Sequence, residues 1–371
     1  MSRPVSTSTL ALLGLALTAC GGERGGPIDT RAMLRDLVDI VILPTYAELE
    51  TEAARLSRAT ADLCAAPDAT KLSEAREAWR AVRVPWQRAE AFAFGPVMDL
   101  RVDGAVDFWP LRRADADEAL ADDQPVTDML IEASGSGAKG MPVMEYLLFD
   151  PSADDAAILA RLAGGMPAGR NCDYLAALGR DVAKRATEVH LAWSPEGGDF
   201  GNTLASAGIG TGRYRKLQDA LAEVVDELIQ LSQTMEGMKL AAPLGRRDGG
   251  IPQPDAAEAP LAYNGRADLL ANLDGLEAVY RVSLDGKTGV SLYQDTANRQ
   301  PGLHEALDRQ LTVCRATLVE IDEPIPVLVT SGRTEGLEAA FLCHQELLRM
   351  LQTDLAGVLG VTPTFGESDG D

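Results

Sequence analysis

Apolar residues recur at helical spacing over most of this chain, and that periodicity limits the fold more than any other feature. Between Thr30 and Ala65, Leu34, Leu37, Val38, Val41, Leu49 and Leu56 recur at helical spacing, interrupted by Pro44. The spacing predicts a long kinked helix. A second helix is expected over 71–94, where Trp79, Val82, Trp86 and Glu90 form one stripe and Pro85 should bend the axis. Hydrophobic residues make up 46% of the chain but aromatics only 5%, which suits Ala/Leu-rich helices better than sheets. Further helices are expected at 126–132, 142–149, 153–163, 172–193, 213–239, 261–284, 302–323 and 333–359. Loops are expected at 243–260 and 286–289. The stretch 97–124, with Phe108-Trp109-Pro110 inside it, reads as a long irregular connection that is either functional or a packed cover over the bundle.

The glycine-rich run 197–212 reads as a junction. The expected organisation is a leader over 1–19, a tether over 20–28, an N-terminal helical bundle with its irregular loop over 29–200, and a C-terminal bundle over 201–371. The fold class is all-α, two bundles packed together.

The leader has Arg3 ahead of an apolar run from Leu10 to Leu17, then Leu17-Thr18-Ala19-Cys20, a lipobox pattern. Cleavage before Cys20 with lipid on that cysteine is expected, giving an anchored body in the cell envelope. In a Gram-negative host, Gly21 rather than Asp after the cysteine points to the outer membrane, with the body facing the periplasm. The apolar run is too short to span a bilayer. Four further cysteines, Cys64, Cys172, Cys314 and Cys343, suit an oxidising compartment, and pairing within each half gives Cys64 to Cys172 and Cys314 to Cys343. Against 34 basic residues stand 56 acidic ones, a net charge of −22, which makes nucleic acid and bare anionic membrane poor partners.

No HExxH, GxSxG or phosphate-cradling glycine loop occurs, and the three histidines, His190, His304 and His344, are scattered. The chemistry-bearing candidates are carboxylates. Glu90 continues an apolar stripe and so needs a partner or a metal. Glu145 lies in AKGMPVMEYLLFD (138–150), three residues after Pro142. There it can serve either as a favourable charge near a helix start or as an oxygen ligand. Two such carboxylates suit a hard cation such as iron or calcium, whereas a catalytic zinc needs a third ligand with nitrogen or sulfur. Trp86 reads as core.

Several stretches in order resemble the imelysin family: AWRAVRVPWQRAEAFAFGPV, VDFWP, AKGMPVMEYLLFD, MKLAAPLG, LLANLDGLEAVYRV and the closing TDLAGVLGVTPTFGESDGD. The third is similar to the family's GxHxxE motif. Gly140 and Glu145 take the glycine and glutamate places, while Pro142 stands where the histidine would be. The resemblance implies two packed helical bundles, a site near this motif and the domain interface, and a link to bacterial iron uptake. It also brings a metallopeptidase label, which Pro142 weakens because proline offers neither a metal ligand nor a proton. The favoured expectation is therefore an anchored binding or accessory protein of iron uptake, working with iron-uptake partners. In that reading Glu90 and Glu145 shape the site for iron or another divalent cation, with Gly140, Pro142, Trp86 and Trp109 around it. The alternative is a metallopeptidase using Glu145.

Overall fold

The computed structural model describes residues 26–363. The leader, Cys20 and most of the tether lie outside the described residues. Over the principal helices the order is α1 (Thr30–Leu37), α2 (Leu43–Ala65), α3 (Ala69–Ala89), α4 (Gly140–Leu148), α5 (Arg170–Trp193), α6 (Leu217–Gln233), α7 (Gly265–Arg281), α8 (Pro301–Val319) and α9 (Glu335–Arg349). The fold is all-α. Its only described strands are a two-residue pair, Ser283–Leu284 with Lys287–Thr288, closed by Asp285-Gly286 with both residues at positive φ. That hairpin occupies the expected 286–289 loop and uses the Asp-Gly turn such hairpins favour.

The first long helix is interrupted by a π turn, Val38–Ile42, that ends two residues before Pro44. Proline brings no N–H, and the wider turn absorbs the missing donor. α3 is started by Asp68, whose carboxylate accepts from Lys71 N at 2.8 Å. The helix runs through Pro85 to Ala89 and ends in a 3-10 turn, Glu90–Phe92.

α2, α3 and α5 pack together around an aromatic cluster. Tyr46 meets Phe92 at 5.5 Å and Trp193 at 6.1 Å, and Trp193 meets Phe94 at 5.5 Å and Phe200 at 4.8 Å between ring centroids. A disulfide, Cys64–Cys172, joins the end of α2 to the start of α5. In the second half Cys314–Cys343 joins α8 to α9.

Two expectations need correction. The stretch 97–124 is not irregular: it folds into short helices, Pro96–Asp99, Val102–Val106 and Arg113–Ala121, because Val97, Val102, Val106 and Ala116 are drawn into the core. The expected loop 286–289 is half strand. Among the described residues no helix is long and apolar enough to cross a membrane.

The two halves meet where α3 crosses α7. A Cβ at Gly275 would lie 2.3 Å from Arg88 O, so only glycine permits this approach. Close backbones bring the polar residues of both helices into one buried layer.

Candidate functional site

Glu145 holds the two halves together. α4 begins at Gly140, two residues before the expected start, with φ +80°; a Cβ there would fall 2.5 Å from Val106 O. Trp79 Nε1 donates to Met141 O at 3.0 Å and fixes this entry. Glu145 therefore stands more than a turn inside its helix. Its Oε1 accepts from the backbone N–H groups of Leu261 (2.8 Å) and Ala262 (2.7 Å), in the second half of the chain. The carboxylate satisfies backbone donors, as a cap does, but on a distant segment. Arg80 Nη2 donates to Ala262 O at 3.2 Å, so Ala262 is held through both its N–H and its carbonyl. The strap it belongs to is strained, with Ala259 and Tyr263 at positive φ, and it carries Glu258.

Burial pushes the Glu145 carboxyl up from 4.5 to about 7, against the pull of the two N–H groups and Arg83. Between those values the folded protein holds a proton that the unfolded chain has lost. Stability therefore falls as pH rises through this window. Glu145→Gln keeps an acceptor for both N–H groups and removes the buried charge. It should match the wild type near pH 4.5 and exceed it by roughly 2 kcal/mol at pH 8. Glu145→Ala should lose about 2–3 kcal/mol, because two N–H groups lose their acceptor. Urea denaturation at both pH values checks the series; a glutamine variant as weak as alanine at pH 8 would contradict it.

Deeper in the interface, Arg83 sits between three carboxylates. Its Nε donates to Asp268 Oδ1 at 2.9 Å, Nη2 to Glu258 Oε1 at 2.8 Å and Nη1 to Asp107 Oδ1 at 3.2 Å. Gln87, one turn further along α3, donates to Glu258 Oε1 at 2.8 Å. Lys239 enters from a π segment, Thr234–Ala241, and donates to Gln87 Oε1 (2.6 Å), Asn272 Oδ1 (2.8 Å) and Glu90 Oε2 (2.9 Å). Asn272 Nδ2 also donates to Glu90 Oε2, at 2.8 Å.

Two cations thus face four carboxylates, Glu90, Asp107, Glu258 and Asp268. Burial raises Asp268 to about 7 and also raises Glu90 and Asp107, outweighing their cationic neighbours. Burial opposes ionisation of Glu258 too, but Lys239 and Arg83 together hold it below its ordinary value. Asp268 Oδ2 is buried and accepts no hydrogen bond. With all four ionised, the layer would carry two more negative charges than Arg83 and Lys239 neutralise.

Two cavities flank Asp107. One is lined by Glu90, Trp86, Tyr46 and Asp103, the other by Glu145, Arg83, Glu258, Pro142 and Trp109. Glu90 and Glu145 therefore face different cavities, with Asp107 lining both. Trp86 is buried, yet its indole N–H has no hydrogen-bond partner. Trp109 donates to Ala257 O at 3.2 Å and covers the second cavity.

No described histidine lines either cavity: His190 is bound to Glu50 at 2.6 Å, His304 packs on Tyr293, and His344 is buried against Ala340 O. Carboxylate oxygens of Glu90, Asp107 and Glu258 all lie within 4.8 Å of one another. Such a set fits a hard, oxygen-preferring cation in donor type and in its uncompensated charge. Glu145 is outside it.

Arg83, Asp107, Lys239, Glu258 and Asp268 were not singled out from the sequence. A signal existed on α3, where Trp79, Arg83, Gln87 and Glu90 share a face, and on α7, where Gly265, Asp268, Asn272 and Gly275 do the same.

Fold and site together define an all-helical protein of two bundles whose contact layer is a buried, carboxylate-rich cluster. Residues 42–343 match the family model for imelysin, peptidase M75, and the chain belongs to the imelysin family. It is 30% identical over 319 residues to the iron-regulated protein A of Synechococcus elongatus, covering 85% of this chain and 82% of the relative. Its fold is similar to the crystal structure of an iron-regulated protein A precursor from Parabacteroides distasonis, with TM-score 0.74, 22% identity, and 91% and 96% of the two chains covered. It is also similar to that of an imelysin-like protein from Psychrobacter arcticum, with TM-score 0.71, 18% identity, and 91% and 97% covered.

Proposed function

We propose that this imelysin-family protein is a lipid-anchored envelope protein serving iron acquisition, and that it binds a hard cation between its two halves through Glu90, Asp107 and Glu258. One observation carries the reading: carboxylates from three separate segments converge in a buried layer whose own cations leave them undercompensated. A relative named for iron regulation supports iron as the cation. In this account Glu145 holds the strap that brings Glu258 to the interface, and Trp109 covers the approach. Cys20 would bear the anchor in the outer membrane, and Cys20→Ser should move the protein from the membrane to the soluble periplasmic fraction.

The supplied chemistry is binding through oxygen. The wild type, purified without chelator from iron-replete cells, should retain near-stoichiometric iron, and Glu258→Gln should not. Equal metal content in both proteins would refute the assignment.

A further inference from the structure

The cation seat already has a tethered occupant. Lys239 is fully enclosed, its side chain 2% exposed, and its ammonium lies among four oxygens: Gln87 Oε1 at 2.6 Å, Asn272 Oδ1 at 2.8 Å, Glu90 Oε2 at 2.9 Å and Glu258 Oε2 at 3.0 Å. Gln87, Asn272 and Glu90 take its three N–H groups, and Glu258 Oε2 pairs with it by charge alone. Two of those four oxygens belong to the carboxylate set that suits a metal. Glu90 keeps an exposed quarter of its side chain beside the cavity it shares with Trp86, so solutes can reach the set from that side.

We infer that Lys239 is a built-in competitor that sets the affinity and valence selectivity of the interface site, an inference that rests on the cation-binding reading above. Any ion drawn to Glu90 and Glu258 must take oxygens from Lys239 and accept its repulsion. A monovalent ion offers no more charge than the ammonium and gains nothing by replacing it; a divalent or trivalent ion does. Since Lys239 belongs to the second half and Glu90 to the first, binding also exchanges a contact between the halves for one through the ion.

The test uses the mature full-length protein with manganous ion, titrated by calorimetry, and sodium as the monovalent comparison. Lys239→Met should bind manganous ion at least about tenfold more tightly than the wild type, because the competing charge is gone. Its melting temperature, low in chelator, should rise on adding the divalent ion by more than the wild type's does. Lys239→Arg, which keeps the charge, should bind no more tightly than the wild type. Lys239→Gln, which keeps a donor in the cage, provides the same comparison if the methionine variant does not accumulate. Equal affinities in wild type and the uncharged variants would overturn the role of Lys239 while leaving the site standing. Absence of binding in every variant would instead overturn the site itself, and the inference with it.

Discussion

Arg83→Met is expected to cost about 4 kcal/mol or more at pH 8, the largest loss from any single side chain at the interface. The guanidinium is nearly inaccessible and bonded at once to Asp107, Glu258 and Asp268, and it lies 5.1 Å over the Trp79 ring. Methionine fills much of the space but leaves three buried carboxylates with Lys239 as their only close cation. Protonation can relieve that imbalance, and Asp268 already sits near 7 with Arg83 present. Without Arg83 it should rise further, so the folded variant binds protons that its unfolded chain does not, and stability should recover as pH falls toward 5. Adding Asp268→Asn should restore part of the loss at pH 8. Denaturant titrations of both variants at pH 8 and pH 5 measure this; a loss below 1 kcal/mol at pH 8 would mean that the network contributes little.

Opening the Cys64–Cys172 bond, by replacing both residues with alanine, is expected to destabilise the protein by about 5 kcal/mol in the chain-entropy account. The bond closes a span of 108 residues that includes α3, α4 and the Asp107 segment. Cys314–Cys343 closes 29 residues between neighbouring helices and should contribute about 3.5 kcal/mol on the same basis. The order of the two is the informative result. If the short loop mattered more, packing of α8 on α9 would outweigh the restriction of the unfolded chain.

The helices were legible because burial imposes a period on sequence. Leu34, Leu37, Val38 and Val41 mark one face of the first helix whatever that face packs on. The pairing of cysteines within each half was legible for a similar reason, since each half supplies two. The short helices of 97–124 were not, because four or five residues carry too little periodicity to separate a helix from a loop. The site was legible only in its outer members. Glu90 stood out as a charge on an apolar stripe, and Glu145 through the motif around it. Their true partners depend on which segments meet in space. Nothing in AAEAPLAYN announces that Glu258 reaches Arg83, or that the N–H groups of Leu261 and Ala262 find Glu145 across 116 and 117 residues. Lys239 was hidden for the same reason: an ordinary lysine in MKLAAPLG becomes a buried cation only when the π segment Thr234–Ala241 brings it to Gln87 and Asn272.

The central claim is that a hard cation is held by Glu90, Asp107 and Glu258 between the two halves. It is tested most directly by anomalous diffraction from crystals of the mature protein grown with ferrous ion under anaerobic conditions. The account predicts a single strong peak at the iron edge among those three carboxylates, lost in crystals of Asp107→Asn/Glu258→Gln. A peak placed elsewhere, or no peak at saturating iron, would contradict it.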